Sequence, residues 1–554
     1  MYWRLLWTPM QAMYRSTLVL ALAVCTSAQT WCNKHYMANQ SVVPPGGNFP
    51  TSSASSSPLL AFRCAPAIRP YLAEDATSPA SIIVDAPVTY TQIAKAQPIT
   101  LLSGDAGSLA VTVSANGKTL ATGIVPLNAS KYEIQFSLTS LTAQMDAYNI
   151  SCVANYAQQT YTTSTALSYL PNPTNSSITK MDLRTGALVA KPADGSDGEY
   201  ESVFPIGFYT SFDDYLVGNL SILDDLKAQG FTIVHPIPTF DNITQLDQVL
   251  DHMQQVGLYL MYDMRSTYMN ATSVTEQVNR IKSRPNLLLW YTADEPDGTS
   301  DPLDATTTAY DLIHSLDGYH PVSLVLNCQD HQFTAYTAGT DIVMQDTYMI
   351  GNNATWSNEW NTSCTPDFGD CGCDNCKGEF EDISARMDSF KERLDVLGWD
   401  RTKAVWTVPQ AFGNESYWPR FPTGNEWLVQ SIIGINHHAL GIISWEDPTP
   451  SDIKSAASSL AKSLPSMIPF ILNADATFSN LTSNRIDVGL WTVGSQTLLL
   501  AANLNYDEAY LDLNNLPTGI DHTKVTRMFD GGAEVNGESI TFQSTGTGAF
   551  LLSS

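Results

Sequence analysis

The sequence predicts an α/β protein: a (β/α)8 TIM barrel flanked by an N-terminal β-sandwich and a small C-terminal all-β domain. From about residue 203, short apolar runs alternate with amphipathic helical patterns until eight such runs have passed. Before and after that region the chain reads as short strands separated by Gly and Asn turns. The first apolar run leads into Gly207-Phe-Tyr-Thr, which lacks the Gly-rich phosphate turn expected of an open, doubly wound sheet.

Taken in order, residues 1–28 read as a signal peptide: Arg15, the apolar run Leu18 to Val24, then the small residues Thr26-Ser27-Ala28. Residues 29–75 are rich in Ser, Pro and Gly and predict an extended segment tied down by Cys32 and Cys64. The β-sandwich is expected over 76–175, from runs such as Leu109-Ala-Val-Thr-Val113 and Tyr148-Asn-Ile-Ser-Cys-Val153. The barrel is expected over 200–472, with strands beginning at Phe204, Phe231, Leu258, Leu287, Val322, Asp341, Ala404 and Leu440. Residues 473–554 return to strand patterns such as Gln496-Thr-Leu-Leu-Leu-Ala-Ala502.

Composition narrows the partners. A formal charge of −27 repels phosphate-bearing polymers and anionic lipid surfaces, so neither nucleic acid nor a membrane is expected as a partner. A secreted, extracellular, monomeric protein is expected instead. Eleven N-x-S/T sequons (at Asn39, Asn128, Asn149, Asn175, Asn219, Asn242, Asn270, Asn353, Asn361, Asn414 and Asn480) fit export as a glycoprotein. Of nine cysteines, Cys25 lies in the leader; the remaining eight are an even set, suited to disulfides. Cys364, Cys371, Cys373 and Cys376 are close enough to ligate zinc. An oxidising compartment favours disulfides instead, with Cys328 as an available outside partner, so no metal and no cofactor are expected.

In a barrel of this kind the chemistry sits at the C-terminal ends of the strands. Here those ends read Tyr209; His235; Asp263 and Arg265; Asp294 and Glu295; Asn327 and Gln329; Asp346 and Tyr348; Gln410; Trp445 and Glu446. Carboxylates and amides suit sugar hydroxyls, and aromatic rings suit the C–H faces of a sugar. Glycoside cleavage needs a carboxylic acid to protonate the leaving oxygen and a second carboxylate as nucleophile or base. Glu295, after the fourth strand and beside Trp290 and Tyr291, stands where burial raises a carboxyl pKa. The competing reading is an N-cap, since Asp294-Glu-Pro296 could equally open a helix. His437-His438, in an apolar helix, reads as structural.

The segments Asp182 to Leu188 with Phe204 to Tyr209, Trp290 to Pro296, His320-Pro-Val322, Gln345 to Tyr348, Thr407 to Phe412 and Gly441 to Trp445 resemble the barrel of clan A glycoside hydrolases. The resemblance implies a carbohydrate substrate and Glu295 as general acid/base. It departs at Asp294, where the clan carries Asn, and at Gln410, where the clan's nucleophilic Glu closes strand seven. Glu446 is then the expected nucleophile of a retaining mechanism, with Asp346 its rival. Tyr209, His235, Asp263, Asp346, Tyr348, Gln410 and Trp445 are the expected substrate contacts. The Asp294-Glu295 pair also resembles hexosaminidases in which the Asp orients a 2-acetamido group that attacks in place of a protein nucleophile. A non-catalytic carbohydrate-binding protein is the remaining alternative.

Overall fold

In the computed structural model, which describes residues 30–40, 46–102, 107–174 and 176–553, eight parallel strands close into a barrel. They are β1 (Ile206–Ser211), β2 (Ile233–Ile237), β3 (Tyr259–Asp263), β4 (Leu287–Asp294), β5 (Val322–Leu326), β6 (Ile342–Gln345), β7 (Ala404–Thr407) and β8 (Ala439–Asp447). They pair in chain order, and β8 returns to β1. Helices cover the outside and side chains fill the inside, so both faces of each strand are buried and the strands read as continuous apolar runs. In β4 every residue from Leu287 to Ala293 is buried. Gly207 lets β1 close on β2: a Cβ there would lie 2.0 Å from the Ile233 carbonyl oxygen. The expected leader and the Asn175 sequon lie outside the described residues.

The helices are α1 (Ser221–Ala228), α2 (Ile243–Val256), α3 (Ala271–Ile281), α4 (Pro296–Thr299), α5 (Ala305–Leu316), α6 (Phe333–Ala338), α7 (Glu381–Leu397), α8 (Gly424–Asn436) and α9 (Ser451–Ile471). Asn242 and Asn270 cap α2 and α3, their side-chain oxygens accepting from Thr244 and Gln245 and from Thr272 and Ser273. Both are also sequon asparagines, and all ten sequon asparagines among the described residues are exposed. The capping oxygen leaves the side-chain nitrogen, the atom a glycan would take, facing solvent.

Ahead of the barrel, a four-stranded sheet (Ser108–Ala115, Lys118–Pro126, Tyr148–Tyr156, Gln159–Leu167) packs on a three-stranded one (Arg63–Pro66, Pro79–Asp85, Tyr132–Ser137). A Cys64–Cys152 disulfide joins the two sheets. The extended segment expected over 29–75 therefore ends early: Ala54–Ala61 and Arg63–Pro66 are strands, and Leu60 and Phe62 lie in the sandwich core. Ser and Pro had suggested a coil, but the apolar Leu59 to Phe62 needs burial. A further sheet (Ile68–Arg69, Thr179–Asp182, Ala187–Ala190, Glu201–Val203) sends Met181, Leu183, Leu188 and Val203 against the barrel's interior core, covering its N-terminal mouth. Among the described residues no helix is long and apolar enough to cross a membrane.

The C-terminal strands, Thr477–Ser483 through Ser539–Ser553, form one sheet. It packs on α8, of which every residue except Asn425 is buried. Enclosed on both sides, α8 also buries polar residues, and Glu426, Gln430, Ser431 and Asn436 are each hydrogen-bonded. His437, at its end, clips three elements together: Nδ1 meets Asp388 of α7 at 2.7 Å, and Nε2 meets Asp487 of the C-terminal sheet at 2.9 Å. Its neighbour His438 points elsewhere, onto the Phe478 ring. Burial alone would lower the His437 pKa, but hydrogen bonds to Asp388 and Asp487 overcome it and push it up to about 9. A raised pKa contributes stability that is complete below the unfolded value and lost as pH climbs through the folded one. His437→Gln is therefore expected to cost roughly 2 kcal/mol near pH 6, discounted for the half-exposed Asp388, and far less near pH 10. Thermal melts at both pH values check this, and an equal deficit at both would show that the charge is irrelevant.

Candidate active site

A cavity of about 560 Å³ opens at the C-terminal end of the barrel. Glu295 enters it from the end of β4. Its backbone is left-handed (φ 52°) at the start of α4, and its side chain makes no capping hydrogen bond, so the N-cap reading does not hold. Capping falls to Asp297, whose carboxylate accepts from the backbone N–H groups of Gly298, Asn327 and Cys328. The Glu295 carboxyl is thus left to face the cavity.

Three strand ends converge on it. Asn327, after β5, donates from Nδ2 to Glu295 Oε1 at 2.9 Å and to Asp346 Oδ1, after β6, at 3.3 Å. Burial, then the adjacent Asp346 with which it shares a hydrogen bond, pushes the Glu295 carboxyl well above its usual range. Burial also raises Asp346, while the Glu295 hydrogen bond works to lower it. Two buried carboxyls this close cannot both ionise cheaply, so burial and their mutual repulsion favour a proton held within the pair.

Asp294 is held from behind. Arg265 donates from Nη1 to Asp294 Oδ2 at 2.8 Å and from Nε to Asp263 Oδ2 at 2.7 Å. The Tyr291 hydroxyl donates to Asp294 Oδ1. The guanidinium sits 5.2 Å from the Tyr209 ring and 4.9 Å from the Trp445 ring, enclosed by aromatic groups. Asp263 also takes His235 Nε2 at 2.7 Å. Burial works to raise Asp263, yet Arg265 and His235 hold it below the usual carboxylate range.

The expected site residues therefore separate. Glu295, Asp294, Asp346, Tyr348, Tyr209 and Trp445 all line the cavity. His235, Asp263 and Gln410 are buried and do not line it. His235 and Asp263 are spent on Arg265 and on each other. The Gln410 side chain accepts from Ile350 N–H and donates to the Ile350 and Phe412 carbonyls, bracing the loop after β6. Glu446 is also outside the cavity lining, because Trp445 takes the inward position on β8. Burial and Glu415 raise its carboxyl, but it does not meet Glu295. Asp346 is the carboxylate that does.

Several cavity residues escaped the sequence reading. Trp31 and Tyr36 come from the N-terminal segment, and Tyr417 and Trp418 from the loop after β7. Tyr36 stacks on Trp360 with ring centroids 4.2 Å apart, and Phe412 packs edge-on to Trp418 and Tyr348. Glu359 and Trp360, from the loop after β6, line the cavity as well. In the same loop the four clustered cysteines form Cys364–Cys371 and Cys373–Cys376, and Cys328 pairs with Cys32. Cys32, Cys328 and Asp374 lie close together, but the two sulfurs are bonded to each other and offer no thiolate to a metal.

The fold and site define a (β/α)8 barrel with two buried, neighbouring carboxyls in an aromatic cleft. No family model matches the chain, and no curated protein matches it. Among solved structures it is similar to an alpha-amylase from Geobacillus thermoleovorans, at 9% identity over 66% of this chain and 99% of that one, TM-score 0.43. It is also similar to a trehalose-6-phosphate hydrolase from Bacillus licheniformis, at 7% identity over 63% and 99%, TM-score 0.43. A third is an endoxylanase from Clostridium papyrosolvens, at 10% identity over 64% and 97%, TM-score 0.37. Likenesses this distant assign no activity to the chain.

Proposed function

We propose that this protein is an exported glycoside hydrolase that cleaves O-glycosidic bonds of an oligo- or polysaccharide, with Glu295 as the general acid. The observation that carries this reading is the buried carboxyl of Glu295, held well above its usual range beside Asp346, in a cavity walled by Trp31, Trp418, Trp445 and Tyr348. An acid must still hold its proton at the working pH, and desolvation with a like charge nearby arranges that. Aromatic faces supply sugar platforms, and Asp294 offers a fixed acceptor for a ring substituent. Four disulfides and ten exposed sequon asparagines suit export.

Asp346 takes the place expected of Glu446 as the second carboxylate. A second reading has a specific observation in its favour. Asp346 and Glu295 share one donor, Asn327 Nδ2, at 3.3 and 2.9 Å, which draws the two carboxyls together, whereas a retaining nucleophile stands about 5–5.5 Å away across a sugar. Attack by the substrate's own 2-acetamido group, held by Asp294 or Asp346, needs no such spacing. Incubating the purified protein with a panel of α- and β-linked glycans, with and without 2-acetamido groups, tests both. Release confined to 2-acetamido sugars selects the second reading. Binding without release from any glycan would leave a carbohydrate-binding protein and end the hydrolase proposal.

A further inference from the structure

Trp31 belongs to the N-terminal segment, nearly 300 residues from β5 in sequence, yet its indole Nε1 donates to Asn327 Oδ1 at 3.0 Å. The same amide donates from Nδ2 to both Glu295 and Asp346. An indole N–H can only donate, and an amide has one oxygen to accept with. Trp31 therefore selects which end of the Asn327 amide faces the carboxyl pair. The next residue along each chain, Cys32 and Cys328, closes the tether as a disulfide. The Trp31 ring lies flat against Gly298 of α4, where a Cβ would meet it at 2.4 Å, so the ring touches the turn that carries Glu295.

The Asn327 backbone needs none of this. Its N–H is taken by Asp297, and its carbonyl accepts from Arg386. What Trp31 adds is a donor to Oδ1, which together with the two carboxylates on Nδ2 sets the rotation of the amide. We propose that Trp31, fixed by the Cys32–Cys328 disulfide, is a positioning residue that keeps the Asn327 N–H groups turned toward Glu295 and Asp346. The consequence for turnover rests on the glycosidase reading; the orientation of the amide does not.

The other titratable and charged groups around the pair are Asp294 and Asp297 from the β4–α4 turn, Tyr348 after β6, Tyr209 of β1 and Arg386 of α7. Trp31→Phe touches none of them; it removes the N–H together with some of the ring surface on Gly298, which the cysteine double variant below leaves in place. Donation to a carboxylate favours its charged form, so freeing the amide raises both carboxyls. Both limbs of the pH–rate profile should then move to higher pH by about half a unit, with kcat down about tenfold and KM nearly unchanged. The Cys32→Ser/Cys328→Ser double variant should give the same shift, and combining it with Trp31→Phe should add nothing further.

An arm independent of turnover follows the carboxyl infrared band of the folded protein through a pH titration, with Glu295→Gln identifying the contribution of Glu295. The Glu295 midpoint should rise in Trp31→Phe and in the cysteine variant. An unmoved midpoint overturns the proposal, whether or not the protein cleaves glycans. A moved midpoint without hydrolysis on any glycan supports the positioning role and rejects the glycosidase reading.

Discussion

Glu295→Gln is expected to lower kcat by roughly 10³-fold on every glycan the native protein cleaves, while the thermal midpoint stays level or rises slightly. The amide oxygen can still accept from Asn327 Nδ2, and the amide nitrogen can donate to Asp346, so the local hydrogen bonds survive. What disappears is the proton that would pass to the leaving oxygen. Removing a carboxyl from a site where burial opposes its charge also removes a source of instability. In the native protein the raised Glu295 pKa should extend activity above the ordinary carboxyl range, with turnover declining as Glu295 finally ionises. Steady-state kinetics and melts of the two proteins check both halves. Turnover near the native level in the variant would remove Glu295 from the mechanism.

The barrel was legible because a parallel sheet buried on both faces leaves continuous apolar runs, and those runs recur at helix-sized spacing. Glu295 was legible for a related reason: it follows the fourth run, where a barrel presents its chemistry. A strand end is not a single surface. It is a stack of layers, and His235, Asp263 and Gln410 occupy a sealed layer beneath the cavity. Glu446 lies outside the cavity lining, where its neighbour Trp445 takes the inward place. Trp31 and Tyr36 were invisible because their place depends on Cys32 meeting Cys328, and cysteine spacing does not reveal pairing. Arg265, marked by its place in the sequence only as a strand-end polar residue, turns out to anchor Asp294.

Replacing Arg265 by Met should be the most damaging change to stability. Met preserves much of the volume and keeps a polarisable atom near Tyr209, Tyr291 and Trp445. The loss is therefore mainly that of the charge. Asp263, whose side chain is 0% exposed, would keep His235 and the residue 265 backbone N–H but lose its only guanidinium partner among the described residues. Breaking one side of a buried pair costs about 3–5 kcal/mol, which in a barrel of this size lowers the thermal midpoint by roughly 5–15 °C. The pH dependence gives the sign. In the native protein Asp263 is held below its ordinary pKa, so its contribution is present at neutral pH and fades as acid protonates it. Without Arg265, burial dominates and the folded-state pKa moves above the unfolded one, so the variant gains relative stability as pH falls. Its deficit should therefore shrink between about pH 8 and pH 5. A midpoint within a degree or two of native at both pH values would mean that Arg265 neither balances Asp263 nor anchors Asp294.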